Sequence, residues 1–271
     1  MKNLKDKVVV ISGAGSGIGR ALAIQMAKEG TKLALNDCNE IALKETISLI
    51  ENQVVYSEVV DVSDREKINL FAQNVIKAYG KVDVVINNAG VALGKKDVIE
   101  TAYEDFEWLM NINFWGTVYG TKAFLPFLLK EKEASLVNVS SVFGLVGIGW
   151  QTPYCASKFA VRGFTESVRM EMIQKNVCVS SVHPGGIKTN IAKNSKGWEG
   201  IANKAAIIEK MEEESFINTP AYAASVIIKG IQQKKEKILI GKDAHFLDML
   251  ARIFSVNYSK ILFKKLNGFN K

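Results

Sequence analysis

The amino-acid sequence predicts an α/β fold: a doubly wound, parallel seven-stranded sheet in a single domain. Three observations lead there. Short β-branched runs alternate with helix-length amphipathic stretches from about residue 7 to residue 240. Several of those runs are apolar throughout, as strands covered on both faces must be. The first run ends in a glycine-rich turn that opens a helix. With four prolines in 271 residues and no Ser/Pro-rich stretch, no linker divides the chain.

The elements follow in order. "KVVVI" (7–11) reads as the first strand, and 17–29 as a helix with Ile18, Leu22 and Met26 on one face. "KLALN" (32–36) is the second strand, 39–50 a helix, and "VVYSEVV" (54–60) the third strand. Asp64 is placed to cap a helix running to about Tyr79, although Lys67 stands where the carboxylate of a full capping box would be. "VDVVI" (82–86) is the fourth strand. The stretch 103–131 reads as helix in two pieces, disturbed near Pro126. "SLVNVS" (135–140) is the fifth strand. Pro153 suits the first turn of a helix reaching about Gln174. "VCVSSV" (177–182) is the sixth strand, 190–217 a polar helix-prone insert, 219–232 a helix, and "KILI" (237–240) the seventh strand.

Composition excludes several classes. Cys38, Cys155 and Cys178 are odd in number and far apart, so neither a disulfide framework nor a C-x-x-C metal pattern is present. Two histidines, His183 and His245, cannot by themselves make a His-rich zinc site, and no metal is expected. This usage suits a reducing cytoplasm. The apolar run that starts at Val8 is too short for a signal-peptide core and leads into glycines. Residues 134–157 carry no charge, yet they hold Asn138, Ser140, Ser141, Gln151, Pro153 and three glycines; a buried strand and loop explain them better than a membrane span. The formal charge of +7 falls entirely on 229–271, leaving the first 228 residues neutral overall.

In "ISGAGSGIGRALA", Gly13, Gly15, Gly17 and Gly19 remove side chains where the chain must turn and where a diphosphate could approach the backbone. The helix that follows offers free N–H groups and a partial positive charge to phosphates. Asp37, at the end of the second strand and 24 residues beyond Gly13, can accept hydrogen bonds from an adenosine ribose and would repel a 2′-phosphate. No Lys or Arg lies inside the glycine loop or just after Asp37, which favours NAD(H) over NADP(H). The competing use of Asp37 is to cap the next helix.

With these residues in place, the chain closely resembles the short-chain dehydrogenase/reductase family in its short, single-domain form. The resemblance rests on Ser12-Gly13-Ala14-Gly15-Ser16-Gly17-Ile18-Gly19, where Ser replaces the family's Thr, and on Asn87-Asn88-Ala89-Gly90. It rests also on Asn113-Phe114-Trp115-Gly116, on Ser141 thirteen residues before Tyr154, on Tyr154-x-x-x-Lys158, and on Pro184-Gly185 with Thr189 following. All stand in family order over about residues 5–241. The resemblance implies a nicotinamide-dependent Rossmann-type fold with strand order 3-2-1-4-5-6-7. It implies a cofactor held by the glycine loop, including Ser16 and Ile18, with adenine contacts from Asp61 and Val62. Asn88, Ala89 and Gly90 would line a ribose, and Pro184, Gly185, Ile187 and Thr189 would hold the carboxamide or phosphates.

Tyr154 and Lys158 are four apart, so on a helix they share a face. Taking the proton from an alcohol while hydride leaves for NAD+ requires a base. A tyrosine can serve if its acidity, normally near about 10, is lowered by an ammonium and by the positive nicotinamide ring. Lys158 would supply the charge and grip the ribose. Ser141 would bind the substrate oxygen, and Asn113 would hold a water linking Lys158 to solvent. Ser140 rivals Ser141 and Asn111 rivals Asn113; only the family spacing decides between them. Cys155 reads as packing and His183 as structural.

The substrate region, drawn from 142–151, 185–191 and the insert 190–217, has aliphatic and aromatic residues without clustered bases, which suggests a neutral, lipophilic secondary alcohol or ketone. Trp150 and Trp198 are candidate lining residues. Residues 242–271 form a basic helical extension in which Phe246, Met249, Leu250, Ile253 and Phe254 follow helical spacing. It would pack on its own subunit or a neighbour, with peripheral membrane contact through Lys260, Lys264 and Lys265 as the sharper alternative. A homo-dimer or homo-tetramer is expected, and no nucleic-acid partner. The alternative function is a non-catalytic nucleotide-sensing module on the same fold, which would be expected to lack Tyr154, Lys158 or Ser141. An extended-form epimerase would need a longer C-terminal substrate domain.

Overall fold

The β-branched runs pair as anticipated. In a computed structural model, which describes residues 1–50, 55–197 and 217–268, seven strands form one parallel sheet in the order β3-β2-β1-β4-β5-β6-β7. They are β1 Val8–Ser12, β2 Lys32–Asp37, β3 Val55–Val59, β4 Val84–Asn87, β5 Ala134–Val139, β6 Val177–Pro184 and β7 Lys237–Ile240. The helices are α1 Gly17–Lys28, α2 Glu40–Ser48, α3 Arg65–Tyr79, α4 Tyr103–Leu109, α5 Gly116–Leu128, α6 Thr152–Glu171, α7 Pro220–Gln232, α8 Lys242–Phe254 and α9 Tyr258–Gly268.

The strands alternate their loyalties. Val9 and Ile11 of β1 pack with Leu22 and Met26 of α1 and Ile227 of α7, while Val8 and Val10 face Phe71 of α3, Phe124 of α5 and Val168 of α6. Both faces of the strand are therefore dry, which accounts for its unbroken apolar run. Sheet order reverses on either side of β1, whose neighbours are β2 and β4. The carboxyl ends of β1, β4, β5 and β6 thus open onto one crevice, the usual place for a ligand in such sheets. A buried relay of amides ties that edge to the helix behind it: Asn87 donates to Asn138 at 2.8 Å, and Asn138 donates to Thr165 of α6 at 3.0 Å. Asp64 caps α3 as expected, accepting from the Lys67 amide at 3.1 Å.

Three expectations need correction. The long helical stretch is interrupted at Met110–Trp115, which forms a π-helical turn, and not at Pro126. Pro126 lies in the last turn of α5, where it forfeits one amide bond to the Lys122 carbonyl and the helix still runs on to Leu128. In the insert, residues 190–197 form turns instead of helix; 198–216, with Trp198, lie outside the described residues. The C-terminal extension is two helices, broken at Ser255, whose φ is +41°. Of the stripe anticipated there only Leu250 is buried, while Phe246, Met249, Ile253 and Phe254 are exposed. The inward face is offset because Ala244, Leu247, Leu250 and Ala251 turn toward the body and Asp248 pairs with Lys237 of β7.

Candidate active site

The glycine loop is closed by its neighbours in space. Gly13 has φ +65°, and a Cβ there would stand 2.7 Å from Ala89 Cα, so only glycine lets the loop meet the segment after β4. The Ser12 hydroxyl accepts from the amides of Asn88 (3.0 Å) and Ala89 (3.1 Å), and the Asn88 side chain donates back to the Ser12 carbonyl at 3.0 Å. Serine here supplies the hydroxyl that threonine supplies elsewhere in the family motif. Ser16 starts α1 without a side-chain cap bond, so the first amides of the helix stay available. Gly17 and Ile18 form its first turn, and Thr189, from the loop after β6, packs over Gly17.

Asp37 does not cap α2. Asn39 does so, accepting from the Ala42 amide at 3.0 Å. The Asp37 carboxylate accepts from the Gly15 amide at 2.8 Å and from the Asn39 amide at 2.9 Å, which fixes it at the rim of the glycine loop. Asp61 is exposed, with its carboxylate taken by the Ser63 amide and hydroxyl, and Val62 is buried against Gly116. Ile187 is buried and bridges Asn218.

The residues singled out for proton transfer converge. Pro153 in the first turn of α6 sets Tyr154 and Lys158 on the helix face toward β5. Ser141 follows β5 and caps a short 3-10 turn, its Oγ accepting from the Phe143 amide at 3.1 Å. Its hydroxyl is near enough to the Tyr154 phenol to favour the ionised form of that group. Ser140 is otherwise engaged: its Oγ donates to the Lys158 carbonyl at 2.8 Å, which separates the two serines. Lys158, 3% exposed, donates from Nζ to the Val139 carbonyl at 3.2 Å.

Asn113 lies in the π-helical turn, is 1% exposed, and its amide clasps Val91: Oδ1 accepts from the Val91 amide at 2.8 Å and Nδ2 donates to its carbonyl at 3.0 Å. Nδ2 also donates to Ser157 Oγ at 3.0 Å. Asn111 is exposed and takes no part. A Cβ on Gly90 would lie 3.1 Å from both Asn113 Oδ1 and Lys158 Nζ, so these groups share one pocket.

Burial acts on both titrating groups. It pushes the Tyr154 phenol up to about 12, against the lowering effect of the Ser141 hydroxyl, and pushes the Lys158 amine down to about 8. The expectation of a lowered phenol is therefore not met by protein groups alone. Desolvation outweighs the influence of Ser141, and the protein by itself keeps Tyr154 protonated.

Two residues were underrated in the sequence. Ser157 supports Asn113, and its neighbours in Tyr154-x-x-x-Lys158 masked it. His183 is fully buried and donates from Nδ1 to the Ser141 carbonyl at 3.0 Å, fixing the backbone of that serine. Burial holds its imidazole down to about 4, so it is neutral near pH 7. The only signal was its place at the end of a strand. Cys155 packs as expected, buried beside the Ile148 amide. Trp150 is 46% exposed with φ +61°, and its carbonyl accepts from the Lys96 amide at 3.3 Å.

Comparison with known proteins agrees with this arrangement. A sequence model described as short chain dehydrogenase matches residues 7–200. A protein of Mycobacterium tuberculosis named as an oxidoreductase, SadH, is 39% identical over 266 residues, covering 97% of this chain and 96% of its own. A crystal structure of a short chain dehydrogenase/reductase from Burkholderia phymatum, in complex with NAD, superposes with a TM-score of 0.84 at 29% identity, covering 93% of this chain and 95% of that one. An alcohol dehydrogenase from Thermococcus sibiricus, complexed with 5-hydroxy-NADP, gives a TM-score of 0.75 at 25% identity over 87% and 96% of the two chains. The strand order, the closed glycine loop and the meeting of Tyr154, Lys158 and Ser141 have one common explanation, and the matches give it a name: this chain belongs to the short chain dehydrogenase family.

Proposed function

We propose that this protein is an NAD(H)-dependent oxidoreductase that moves hydride between the cofactor and a secondary alcohol or ketone, with Tyr154 carrying the proton. One observation carries the reading: the Tyr154 phenol, the Ser141 hydroxyl and the Lys158 amine meet beside the glycine loop. A non-catalytic nucleotide sensor would have no use for a buried amine next to a phenol, since that burial costs stability.

The crevice fits a nicotinamide dinucleotide. The open amides at the start of α1 suit a diphosphate, and the Asp37 carboxylate at the rim suits a ribose diol. Asn88, Ala89 and Gly90 stand across the loop, with Pro184, Gly185, Ile187 and Thr189 on the far side. When bound, the cofactor supplies the hydride acceptor or donor. The Burkholderia relative holds NAD and the Thermococcus one an NADP derivative; Asp37, which would repel a 2′-phosphate, decides for NAD here. In ketone reduction Ser141 holds the substrate oxygen and Tyr154 donates its proton to it. In alcohol oxidation the same phenol oxygen takes the proton. Lys158 favours the phenolate that results, and Asn113 holds the Val91 segment and the Ser157 turn in register. The substrate is lipophilic, because Phe143 packs edge-on against the Tyr154 ring and the loop 142–149 after Ser141 carries no charged residue.

Phe159 and Met170, eleven residues apart on one face of α6, are exposed and support assembly of this chain with copies of itself. Light scattering that gives the 29.9 kDa monomer at all concentrations removes that part. The exposed Met249, Ile253 and Phe254 beside Arg252 and Lys260 support contact with an anionic lipid surface, tested by sedimentation with phosphatidylserine vesicles. Among the described residues no helix is long and apolar enough to cross a membrane. The three free thiols suit a reducing cytoplasm.

The test is Tyr154→Phe. Turnover of secondary alcohols and ketones is expected to fall by at least about a thousandfold with NADH affinity within about twofold of wild type. Full activity in that variant would overturn the assignment.

A further inference from the structure

The C-terminal extension touches both loops that frame the proposed reaction. At its start, in the first turn of α8, the Asp243 carboxylate accepts from the Gly186 amide at 2.7 Å. A Cβ on Gly185 would fall on that carboxylate, well inside contact distance, so glycine at 185 is required by Asp243 as much as by any ligand. The Gly185 amide donates to the Ile240 carbonyl at 2.9 Å, and Asn218 closes the turn from the other side, its amide donating to the Gly186 carbonyl at 3.1 Å. This turn leads directly to Ile187 and to Thr189, which packs over Gly17.

At the start of α9, the Tyr258 hydroxyl accepts from the Gly147 amide at 3.0 Å. Its ring joins Val146, Leu250 and Leu262 in a small core separate from the two that line the sheet. Gly147 lies in the loop between Ser141 and Tyr154, the segment expected to face the substrate. Between the two contacts, Asp248 pairs with Lys237 of β7 and with Arg252, which fastens α8 to the sheet.

We propose that the α8–α9 extension is a tie between the two loops of the active site, with Asp243 the positioning residue for the cofactor-side turn and Tyr258 the positioning residue for the substrate-side loop. Neither is a catalytic residue. The inference rests on the proposed oxidoreductase function. It assigns separate duties to the two ends of one element: losing the Tyr258 hydroxyl loosens the loop at Gly147 and leaves the cofactor side held, whereas losing the Asp243 carboxylate frees the Gly186 amide and leaves the substrate loop held.

The experiment uses the full-length chain with Tyr258→Phe, Asp243→Ala and Asp243→Asn, and measures KM and kcat for the best ketone, NADH affinity by fluorescence titration, and melting temperature. One lost backbone hydrogen bond corresponds to about a fivefold change in an equilibrium constant. Tyr258→Phe is expected to raise the ketone KM about fivefold with NADH affinity unchanged. Asp243→Ala is expected to weaken NADH about fivefold or more, and Asp243→Asn, whose amide oxygen can still accept from Gly186, to restore most of it. If Asp243→Ala fails to fold, the Asn variant and Tyr258→Phe still decide the matter. Unchanged KM in Tyr258→Phe, or equal loss of ketone and NADH affinity in each variant with lower melting temperatures, overturns the tie. If Tyr154→Phe abolishes turnover while these variants behave as wild type, the tie alone is wrong; if Tyr154→Phe keeps full activity, the parent reading has failed.

Discussion

Lys158 Nζ stands over the Tyr154 ring, 5.7 Å from its centre, with the Val139 carbonyl as its hydrogen-bond acceptor. A cation so placed costs the fold something, because burial holds the amine down to about 8 against its ordinary 10.5. The unfolded chain therefore binds more protons than the native one between pH 8 and 10.5, and at pH 7 the buried ammonium costs at most about 3 kcal/mol.

Replacing it should separate stability from activity. Lys158→Met keeps the length of the side chain and removes the charge. We expect the melting temperature at pH 7 to rise by several degrees while turnover falls at least about a hundredfold. A melting temperature below wild type would contradict the cost assigned to the ammonium.

The two directions of reaction should answer to pH differently. Oxidation needs the phenolate, and with Tyr154 pushed up to about 12 the phenol predominates throughout neutral pH. Oxidative kcat/KM should climb by about tenfold per pH unit from 6 toward 8, then flatten as Lys158 gives up its proton near 8. Reduction needs the protonated phenol and should be level over the same lower range. An oxidation profile that is flat between pH 6 and 8 would contradict both assignments.

Asp37→Ala should change selectivity and rigidity together. Without the carboxylate, the ratio of kcat/KM for NADP+ to that for NAD+ should rise about tenfold or more. The Gly15 and Asn39 amides also lose their acceptor, so denaturant unfolding should show a loss of about 1–2 kcal/mol. Wild-type preference for NADP+ would refute the cofactor assignment.

His183 should give the fold an acid limit. Its folded value of about 4 lies below the ordinary 6.5, so its contribution is complete above pH 6.5 and is lost as pH falls toward 4, by as much as about 3 kcal/mol. His183→Asn keeps a donor for the Ser141 carbonyl and takes up no proton. Its unfolding midpoint in denaturant should vary less between pH 6.5 and 4 than that of wild type, and an equal slope would rule the histidine out.

Much of this architecture was legible because the physics behind it is local. Continuous apolar runs report strands buried on both faces, and all seven lie within a few residues of where they were expected. Glycines mark turns, and Tyr154 and Lys158 four apart report a shared helix face. What could not be read depends on partners distant in sequence. Ser140 and Ser141 look alike until the Lys158 carbonyl claims one of them. Asp37 looks like a helix cap until Asn39 takes that place and Gly15 comes near. The stripe on α8 was misplaced because periodicity shows that a helix is amphipathic but not how Asp248 and Lys237 will turn it.

The wide turn at Met110–Trp115 gives the helix one residue more than regular winding accommodates. Asn113 owes its bearing to that surplus. Deleting a single residue within the turn would remove the surplus and let regular winding close up, which turns Asn113 and its immediate neighbours relative to the helices on either side. The clasp on Val91 and the anchoring of α5 could not then both survive. Chain length at this point is thus part of the chemistry, so a shortened turn should cripple the enzyme even when every named side chain is kept.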